Sequence, residues 1–167
     1  MALRSMLGLT EPHTFELMDQ RMATVMTESR SRKESEDAVK ALYESVRLLQ
    51  KDHGFELEPL RARWPADGPG SPSGRVAMWG LPVPVEVDDI AQTDERFRVR
   101  LDVWEYGTVA EILHEGSHAE EGRTVEKLRR YMEDENMTVI GPHEEEYLTP
   151  LTAAVPKILI RYRVRLP

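Results

Sequence analysis

The chain has 167 residues, which is enough for one domain with a hydrophobic core of its own. Its 30 acidic and 22 basic residues give a net charge of −8, which argues against a general nucleic-acid surface and is compatible with cationic ligands. The absence of cysteine excludes disulfides and thiolate metal sites, and no segment has the pattern of a membrane span or a secretory signal, so we expect a soluble, cytoplasmic protein.

The first half of the chain combines extended segments with one helix. Residues 15–27 partly alternate between apolar and polar side chains, which predicts a strand with methionines on its inner surface. Residues 34–52 have apolar side chains at helical spacing, and Gly54 favours an end of the helix there. Two more extended segments, 56–64 and 75–85, follow, separated by a loop rich in proline, glycine and serine.

The second half begins after an acidic linker over residues 86–95. Residues 97–103 alternate cleanly and predict a half-buried antiparallel strand with its valines inward. A β-type run from residue 109 stops at Gly116, and an amphipathic helix follows for which Thr124 is a plausible N-cap. The chain therefore enters a second cycle of strand and helix.

Two strands are predicted at the end of the chain. Gly141 and Pro142 break the chain, and three consecutive glutamates then lead into Tyr147. Residues 158–166 show the clearest alternation in the sequence. In that strand the inward side chains are predicted to be Ile160, Tyr162, Val164 and Leu166, and the outward ones Arg161, Arg163 and Arg165.

This order of elements is a β-α-β-β pattern used twice. The first half covers about residues 15–85 and the second about 97–166, within one domain of residues 1–167. Such an order favours an α+β fold, in which two β-α-β-β halves form a curved, largely antiparallel sheet with the helices on one side. Two halves side by side leave a cleft between them, where small ligands bind.

Strand alternation determines what the acidic run can mean. Glu145 and Tyr147 share one face, and Glu144 and Glu146 share the other. If the Tyr147 face is the inner one, Glu145 is a carboxylate at an apolar cavity, which costs several kcal/mol unless a partner or ligand compensates. If Leu148 faces inward instead, the run is a solvated edge strand that discourages aggregation. Periodicity alone leaves both interpretations open.

Other chemistries have weaker support in the sequence. His114 and His118 lie four residues apart near acidic side chains, but Gly116 between them breaks the helix that a shared zinc site would need. His53 and His143 are expected at a helix end and in a turn. No Ser-His-Asp pattern, phosphate loop or dinucleotide-binding glycine run occurs. We therefore expect neither a metal nor an organic cofactor.

Seven short segments follow one another along the chain in a recognisable order. They are S-E-D-A-V-K-A-L-Y from Ser35, P-L-R-A-R-W ending at Trp64, W-x-L-x-x-P from Trp79, V-W-E-Y-G-T-V-A-E-I-L-H-E-G from Val103, E-x-x-T from Glu121, G-P-H-E-E-E-Y-L from Gly141 and I-R-Y-R-V from Ile160. In type and spacing they resemble the GyrI-like small-molecule-binding domain, which occurs as a free-standing protein and as the effector module of multidrug-responsive transcription regulators. Together they span about 150 residues, and their order makes a chance match less probable than any one alone.

The resemblance implies an apolar pocket with a central glutamate. The family's glutamate immediately before x-Tyr-Leu corresponds to Glu145. Glu121 is similar to a second glutamate, found in those members that hydrolyse cyclopropane-bearing natural products. Together with Glu145, the residues expected to bind the ligand are Trp64, Trp79 and Tyr147, as aromatic walls of the pocket, and Trp104.

Three classes of function follow from these residues. A stand-alone module that captures amphipathic aromatic or cationic compounds needs only the apolar pocket and Glu145. A hydrolase that adds water to cyclopropane-bearing genotoxins needs Glu121 and Glu145 to converge on one water molecule. An inhibitor that acts by binding another protein, like the gyrase inhibitor that gives the family its name, needs only the acidic surface. In the first two classes the partner is a small molecule.

Overall fold

The computed structural model describes residues 8–28, 31–65, 68 and 76–167. The loop predicted for residues 65–74 lies almost wholly outside the described residues. None of the helices that the described residues form is long and apolar enough to cross a membrane. In chain order the elements are β1 (His13–Leu17), β2 (Gln20–Thr27), α1 (Arg32–His53), β3 (Arg61–Trp64), β4 (Ala77–Pro82), β5 (Arg100–Trp104), β6 (Gly107–Glu115), a 3-10 turn (His118–Glu120), α2 (Glu121–Asp134), β7 (Thr138–Tyr147) and β8 (Lys157–Arg165).

The strands form one antiparallel sheet in the order β1-β6-β8-β7-β3-β4-β2-β5. The β-α-β-β unit occurs twice, as β2-α1-β3-β4 and as β6-α2-β7-β8, which confirms the predicted α+β fold. The two units meet where β3 pairs with β7, and this pairing sets Ala62 opposite Glu145. The glutamate that the sequence singled out therefore lies at the seam between the halves.

The sheet curls into a half-barrel because two short links, β1 to β2 and β5 to β6, connect the strands at its two edges. β1 runs into β2, and β5 into β6, through two residues each. The antiparallel register continues across both links, since Gln20 pairs with Trp104 on one side and Leu17 with Gly107 on the other. The single strand predicted over residues 15–27 is therefore wrong: it is two strands, which belong to opposite ends of the sheet.

Helix α1 confirms the helix predicted for residues 34–52. Ser31 caps it by accepting a hydrogen bond from the Glu34 N–H, and Gly54 ends it in the left-handed conformation with φ 63°. Its apolar stripe packs against the inner face of β2, β3 and β4. The buried side chains of that stripe are Ala38, Ala41, Leu42, Val46 and Leu49.

Helix α2 begins earlier than predicted. Thr124 is not its N-cap but lies in its first turn, where the hydroxyl is 2.6 Å from Nδ1 of His114 on β6. Glu121 takes the first helical position. Leu128 and Met132 are buried against the apolar side chains of β6 and β8. Because α2 packs on this face of the sheet, its first residue is brought over the seam.

The outer face of β8 is covered more than predicted. Arg161, predicted to face solvent, is 4% exposed, because Tyr106 in the link between β5 and β6 packs over this face. Arg163 is half-buried and Arg165 is exposed. Leu166, predicted to face inward, is 51% exposed because β8 ends at the preceding residue.

Two strands differ in extent from their predictions. β5 begins only at Arg100, and Val103, predicted to face inward, is 48% exposed on this edge strand. The break predicted at Gly141 is a bulge inside β7, where the register with β8 shifts between Val139 and His143. After the bulge, the end of β7 pairs regularly with both of its neighbours.

Candidate functional site

Glu145 faces the helices from the middle of the sheet and is 4% exposed. Its partners on the neighbouring strands are Ala62 on β3 and Ile160 on β8, both fully buried. The interpretation of the acidic run as a solvated edge strand is wrong, because β7 lies between two other strands. Glu145 is thus a carboxylate held among apolar neighbours, which requires compensating contacts.

Two side chains of β7 hold the Glu145 carboxylate. His143 Nε2 lies 2.7 Å from Oε2, and the Tyr147 hydroxyl donates a hydrogen bond to Oε1 at 3.0 Å. All three residues share one face of the strand, as alternation requires. Burial and the charge of Glu145 raise the pKa of Tyr147 well above its ordinary value. The phenol therefore keeps its proton and stays a donor.

Glu121 completes the site from the first turn of α2. Burial, the charge of Glu145 and a hydrogen bond to Glu145 raise the pKa of Glu121 to about 8. A helix N-terminus favours a charged carboxylate by roughly 0.3 to 1 kcal/mol, so this position opposes the shift without reversing it. Oε1 of Glu121 is buried and finds no donor among the described residues. A hydrogen bond between two carboxyls requires that one of them carries a proton.

Glu121 and Glu145, called the glutamate pair below, share that proton. Burial alone would raise the pKa of Glu145, but hydrogen bonds from His143, Glu121 and Tyr147, together with the charge of His143 when it is protonated, outweigh burial and lower it. Between the two pKa values, Glu121 is the neutral acid and Glu145 is the ionised carboxylate. The site therefore offers one proton donor and one proton acceptor in contact at neutral pH.

Aromatic rings pack against the two residues that hold Glu145, His143 and Tyr147. Trp64 meets His143 edge-to-face with 5.8 Å between ring centroids, and it meets Trp79 at 5.9 Å. Trp79 in turn stacks on Tyr147 at 6.3 Å. The Trp79 ring is fixed by its Nε1–H, which donates to Thr27 Oγ1 at 3.2 Å. Of the four aromatic residues expected to bind the ligand, Trp64, Trp79 and Tyr147 thus pack in a row, with Trp79 in the middle.

Trp104 lies on the other side of the sheet. The Arg63 guanidinium stacks over its ring at 4.2 Å, and the ring fits against Gly80, where an added Cβ would approach it to 3.0 Å. Trp104 is therefore separated from the glutamate pair by the sheet. With Trp64 it borders a groove of about 300 Å³ beside the ends of β3 and β5. Any role of Trp104 in ligand binding is tied to that groove.

The outer face of β7 carries a different set of charges, which the sequence did not predict. Glu144 accepts hydrogen bonds from Arg63 and Arg161 at 2.6 Å each, and Arg161 also binds Glu111 at 2.9 Å. Burial opposes ionisation of Glu144, but the arginine charges lower its pKa. The arginine cluster consists of Arg61, Arg63, Arg161, Glu111, Glu144 and Glu146. The sequence does carry a pattern for this cluster: Glu-x-Glu on β7, and Arg-x-Arg on each of its two neighbours in the sheet, β3 and β8.

His143 is a site residue that the sequence interpretation missed. It lies in β7 and is 1% exposed, so its prediction as a turn residue is wrong. Nδ1 is 2.6 Å from the hydroxyl of Tyr162, its partner on β8. The available signal was its place two residues before Glu145, which puts both on one face of a strand.

The two histidines considered for zinc are engaged separately. Both ring nitrogens of His114 have partners within the chain, at Thr124 Oγ1 and at the Ser117 carbonyl. His118 is exposed, with Nδ1 at 3.7 Å from Glu121 Oε2. Within the described parts of the chain, no three His, Cys, Asp or Glu side chains are grouped to hold a metal ion.

Comparison with known proteins supports the fold. No family model matches the chain, and no curated protein matches it. An uncharacterized conserved protein from Listeria innocua is 21% identical, with a TM-score of 0.76 and 93% of each chain covered. A hydrolase from Listeria innocua is 21% identical, with a TM-score of 0.74, and the match covers 93% of this chain and 92% of that one.

The C-terminal domain of EcmrR has a similar fold. The C-terminal domain of EcmrR, a protein whose structure in complex with DNA is also known, is 11% identical to this chain. The TM-score is 0.69, and the match covers 94% of this chain and 98% of that domain. At these identities the likeness shows a shared fold alone. That fold extends over almost the whole chain and is consistent with the GyrI-like effector-binding fold that the sequence motifs resemble.

Proposed function

We propose that the protein is a hydrolase that adds water to a strained, electrophilic ring of a planar aromatic compound. The observation that carries the proposal is the contact between two carboxyls, Glu121 and the buried Glu145, on one face of the sheet. Glu121, with a pKa of about 8, stays protonated at neutral pH while Glu145 is ionised beside it. Two carboxyls with separated pKa values are a recurring arrangement for concerted acid and base chemistry.

The position of the proton assigns the two roles. Glu145 is the base: a carboxylate has about four lone-pair sites, and the three hydrogen bonds from His143, Tyr147 and Glu121 leave one for a water molecule. Glu121 is the acid, because it holds the proton that a developing oxyanion needs. Both groups lie on one side of the sheet, in contact with each other.

For a cyclopropane fused to a dienone, these roles give a balanced reaction. Water oxygen bonds to the strained ring carbon while Glu145 takes a proton from the water. The ring C–C bond breaks, and its electron pair moves through the dienone to the carbonyl oxygen, which takes the Glu121 proton and becomes a phenol. The hydrogen bond between the two carboxyls then returns the proton from Glu145 to Glu121 and restores the starting state.

The aromatic side chains supply position and a dry environment. Trp64 and Trp79 lie edge-to-face at 5.9 Å, and Trp79 stacks on Tyr147, so planar surfaces border the glutamate pair. A planar substrate held between such rings has little freedom to turn away from the attacking water. Exclusion of bulk solvent strengthens the electrostatic contacts of both carboxyls.

The decisive experiment is product formation from a cyclopropane-bearing alkylating agent, followed by mass spectrometry. Glu121→Gln and Glu145→Gln should each reduce turnover by about 100-fold or more, since each removes one proton-transfer role. Affinity for the intact compound should change much less. Glu126→Gln, on the exposed side of α2, is the matched control and should keep full activity. If the unmodified protein forms no water adduct above background, the hydrolase proposal is wrong.

Capture without turnover is the second candidate function, and the aromatic enclosure favours it. A carboxylate among tryptophan and tyrosine rings suits a planar cation. The hydrogen bonds that Glu145 already accepts argue for the hydrolase, because they compensate the charge that a cation would use. For a capture protein, Glu145→Gln should weaken a cationic aromatic ligand by about 1 to 3 kcal/mol and leave its neutral isostere unaffected. Calorimetry with both ligands distinguishes the two functions.

A further inference from the structure

We propose that Tyr162 and His143 form a positioning relay that keeps an N–H directed at Glu145 and so reserves Glu145 for the role of base. The inference rests on the proposed function, which it deepens by naming what separates acid from base. Neither residue belongs to the glutamate pair. Both act on the reaction through Glu145, so they are positioning residues and not catalytic ones.

The geometry of the relay is set by the sheet. β7 and β8 place His143 directly opposite Tyr162, and the two rings pack edge-to-face at 5.2 Å. The Tyr162 hydroxyl lies 2.6 Å from Nδ1, and Glu145 Oε2 lies 2.7 Å from Nε2. Trp64 packs against the imidazole from β3. The imidazole is therefore held with one nitrogen on each oxygen, and it is 1% exposed.

The surroundings of the Tyr162 hydroxyl determine which way the relay points. Among the described residues the only geometric hydrogen-bond partner of this buried hydroxyl is Nδ1 of His143, so its single proton is directed to that nitrogen. Burial raises the pKa of Tyr162 and the charge of Arg129 on α2 lowers it, which makes the phenol a better donor. Nδ1 then accepts, and the ring proton resides on Nε2, from which it is donated to Glu145.

The opposite polarity would exchange the two carboxyls. With its proton on Nδ1, His143 would present a lone pair to Glu145, and a stable contact would then require a protonated Glu145. The shared proton of the glutamate pair would move to Glu145, and Glu121 would be ionised. Because Tyr162 prevents that tautomer, the relay fixes which carboxyl is ionised.

The other titratable groups around the glutamate pair are few. Tyr147 donates to Glu145 from the same strand. His118, in the 3-10 turn before α2, lies on the solvent side of Glu121 with 3.7 Å between Nδ1 and Oε2. Neither can accept a proton from Nε2 of His143 in place of Glu145, because neither is bonded to that atom. The hydrogen bond with Tyr162 therefore determines which ring nitrogen of His143 carries the proton.

The test uses Tyr162→Phe, which removes one hydroxyl and keeps the ring, and Tyr131→Phe as control, since Tyr131 packs against the same core. In the ligand-free wild type, ¹⁵N NMR at pH 7 should show neutral His143 with its proton on Nε2. Tyr162→Phe should lose this single tautomer, and the titration of Glu145 followed by ¹³C NMR should move upward by about one pH unit or more. Tyr131→Phe should match the wild type.

Turnover provides a second readout. In Tyr162→Phe the acidic limb of the kcat pH profile should move upward with the Glu145 titration, and kcat measured on that limb, below the wild-type midpoint, should fall roughly tenfold while KM changes little. Arg129→Gln, an exposed change that leaves the core intact, should shift the profile in the same direction by less, with Arg130→Gln as its neighbouring control.

Two results would overturn the relay. One is a wild-type His143 that carries its proton on Nδ1, or on both nitrogens, at pH 7. The other is a Tyr162→Phe variant with lower kcat but an unchanged pH profile and an unchanged Glu145 titration, as a purely structural role would give. The NMR measurements need no substrate. If the hydrolase proposal fails in the product assay, they still decide whether the relay exists.

Discussion

Glu144 and Glu145 are consecutive residues on β7, and both are almost fully buried, with 2% and 4% exposure. Alternation turns them to opposite faces of the sheet, where their surroundings differ. Glu144 is bonded to two arginines of the arginine cluster. Glu145 is bonded to a histidine, a phenol and a second carboxyl. Burial alone therefore does not distinguish these two carboxylates; the charge of their partners does.

The two faces stabilise their carboxylates in different ways. On the outer face, opposite charges compensate one another, which holds four adjacent strands, β6, β8, β7 and β3, in register at the seam. On the inner face Glu145 is not bonded to any arginine of the described residues, and its hydrogen-bond donors can also give up or exchange a proton. The carboxylate that we propose to act as a base is thus the one that hydrogen bonds hold and no arginine of the cluster neutralises.

Removing a cation from the arginine cluster should have the largest effect on stability. Arg161→Met leaves Glu111 and Glu144 buried without their shared partner, so the free energy of unfolding should fall by about 3 to 5 kcal/mol. Urea unfolding followed by fluorescence measures the loss. Arg163→Met, on the same strand but half-buried, should cost roughly 1 kcal/mol or less. Equal losses in both variants would contradict the distinction between the two positions.

The second prediction concerns the inner face, where titration of the glutamate pair should make the stability of the protein depend on pH. The folded protein keeps the Glu121 proton up to a pKa of about 8, whereas the unfolded chain releases it near 4.5, so this group's contribution to stability is lost as the pH rises through that window. Glu121→Gln cannot titrate, and it should be more stable than the wild type at pH 9 by about 2 kcal/mol, less than the full shift implies because Glu121 keeps some solvent contact.

The comparison at pH 5 serves as the internal reference for that variant. There Glu121 is protonated in the folded protein, and glutamine can donate the same kind of hydrogen bond to Glu145, so the two proteins should be nearly equal in stability. Glu145 has a lowered pKa, and its contribution is lost only as the pH falls below the ordinary range, outside this window. A difference between wild type and variant that stays constant from pH 5 to 9 would show that Glu121 does not titrate abnormally.

The sequence predicts the features that depend on local periodicity. The stripe and caps of α1 and the alternation of β7 and β8 follow from the residues themselves, and alternation placed Glu145 with Tyr147 correctly. The resemblance to a family then singled out Glu121, which no spacing argument connects to Glu145. The fold class was predictable because the spacing of apolar residues within each helix or strand shows which of its faces is buried.

Features set by distant parts of the chain were not predictable. Arg161 alternates like a solvent-facing residue, and only the link between β5 and β6, which carries Tyr106 over the outer face, buries it. His143 follows two chain-breaking residues, and the bulge that keeps it in β7 depends on pairing with β8. The start of α2 at Glu121 depends on its packing against β6. Each of these outcomes is decided by contacts between segments.

The smallest effect should separate Trp64 from Trp104, which lie on opposite sides of the sheet. If the ligand lies over the glutamate pair, Trp64→Phe should reduce affinity for a planar aromatic ligand by about 1 kcal/mol, or roughly fivefold, because phenylalanine offers a smaller stacking surface. Trp104→Phe should leave affinity unchanged, although loss of its contact with Arg63 should lower stability slightly. Calorimetric titration of both variants gives the two affinities. Equal losses would place the ligand in the groove that both tryptophans border, away from the glutamates, and would remove the structural basis for water attack.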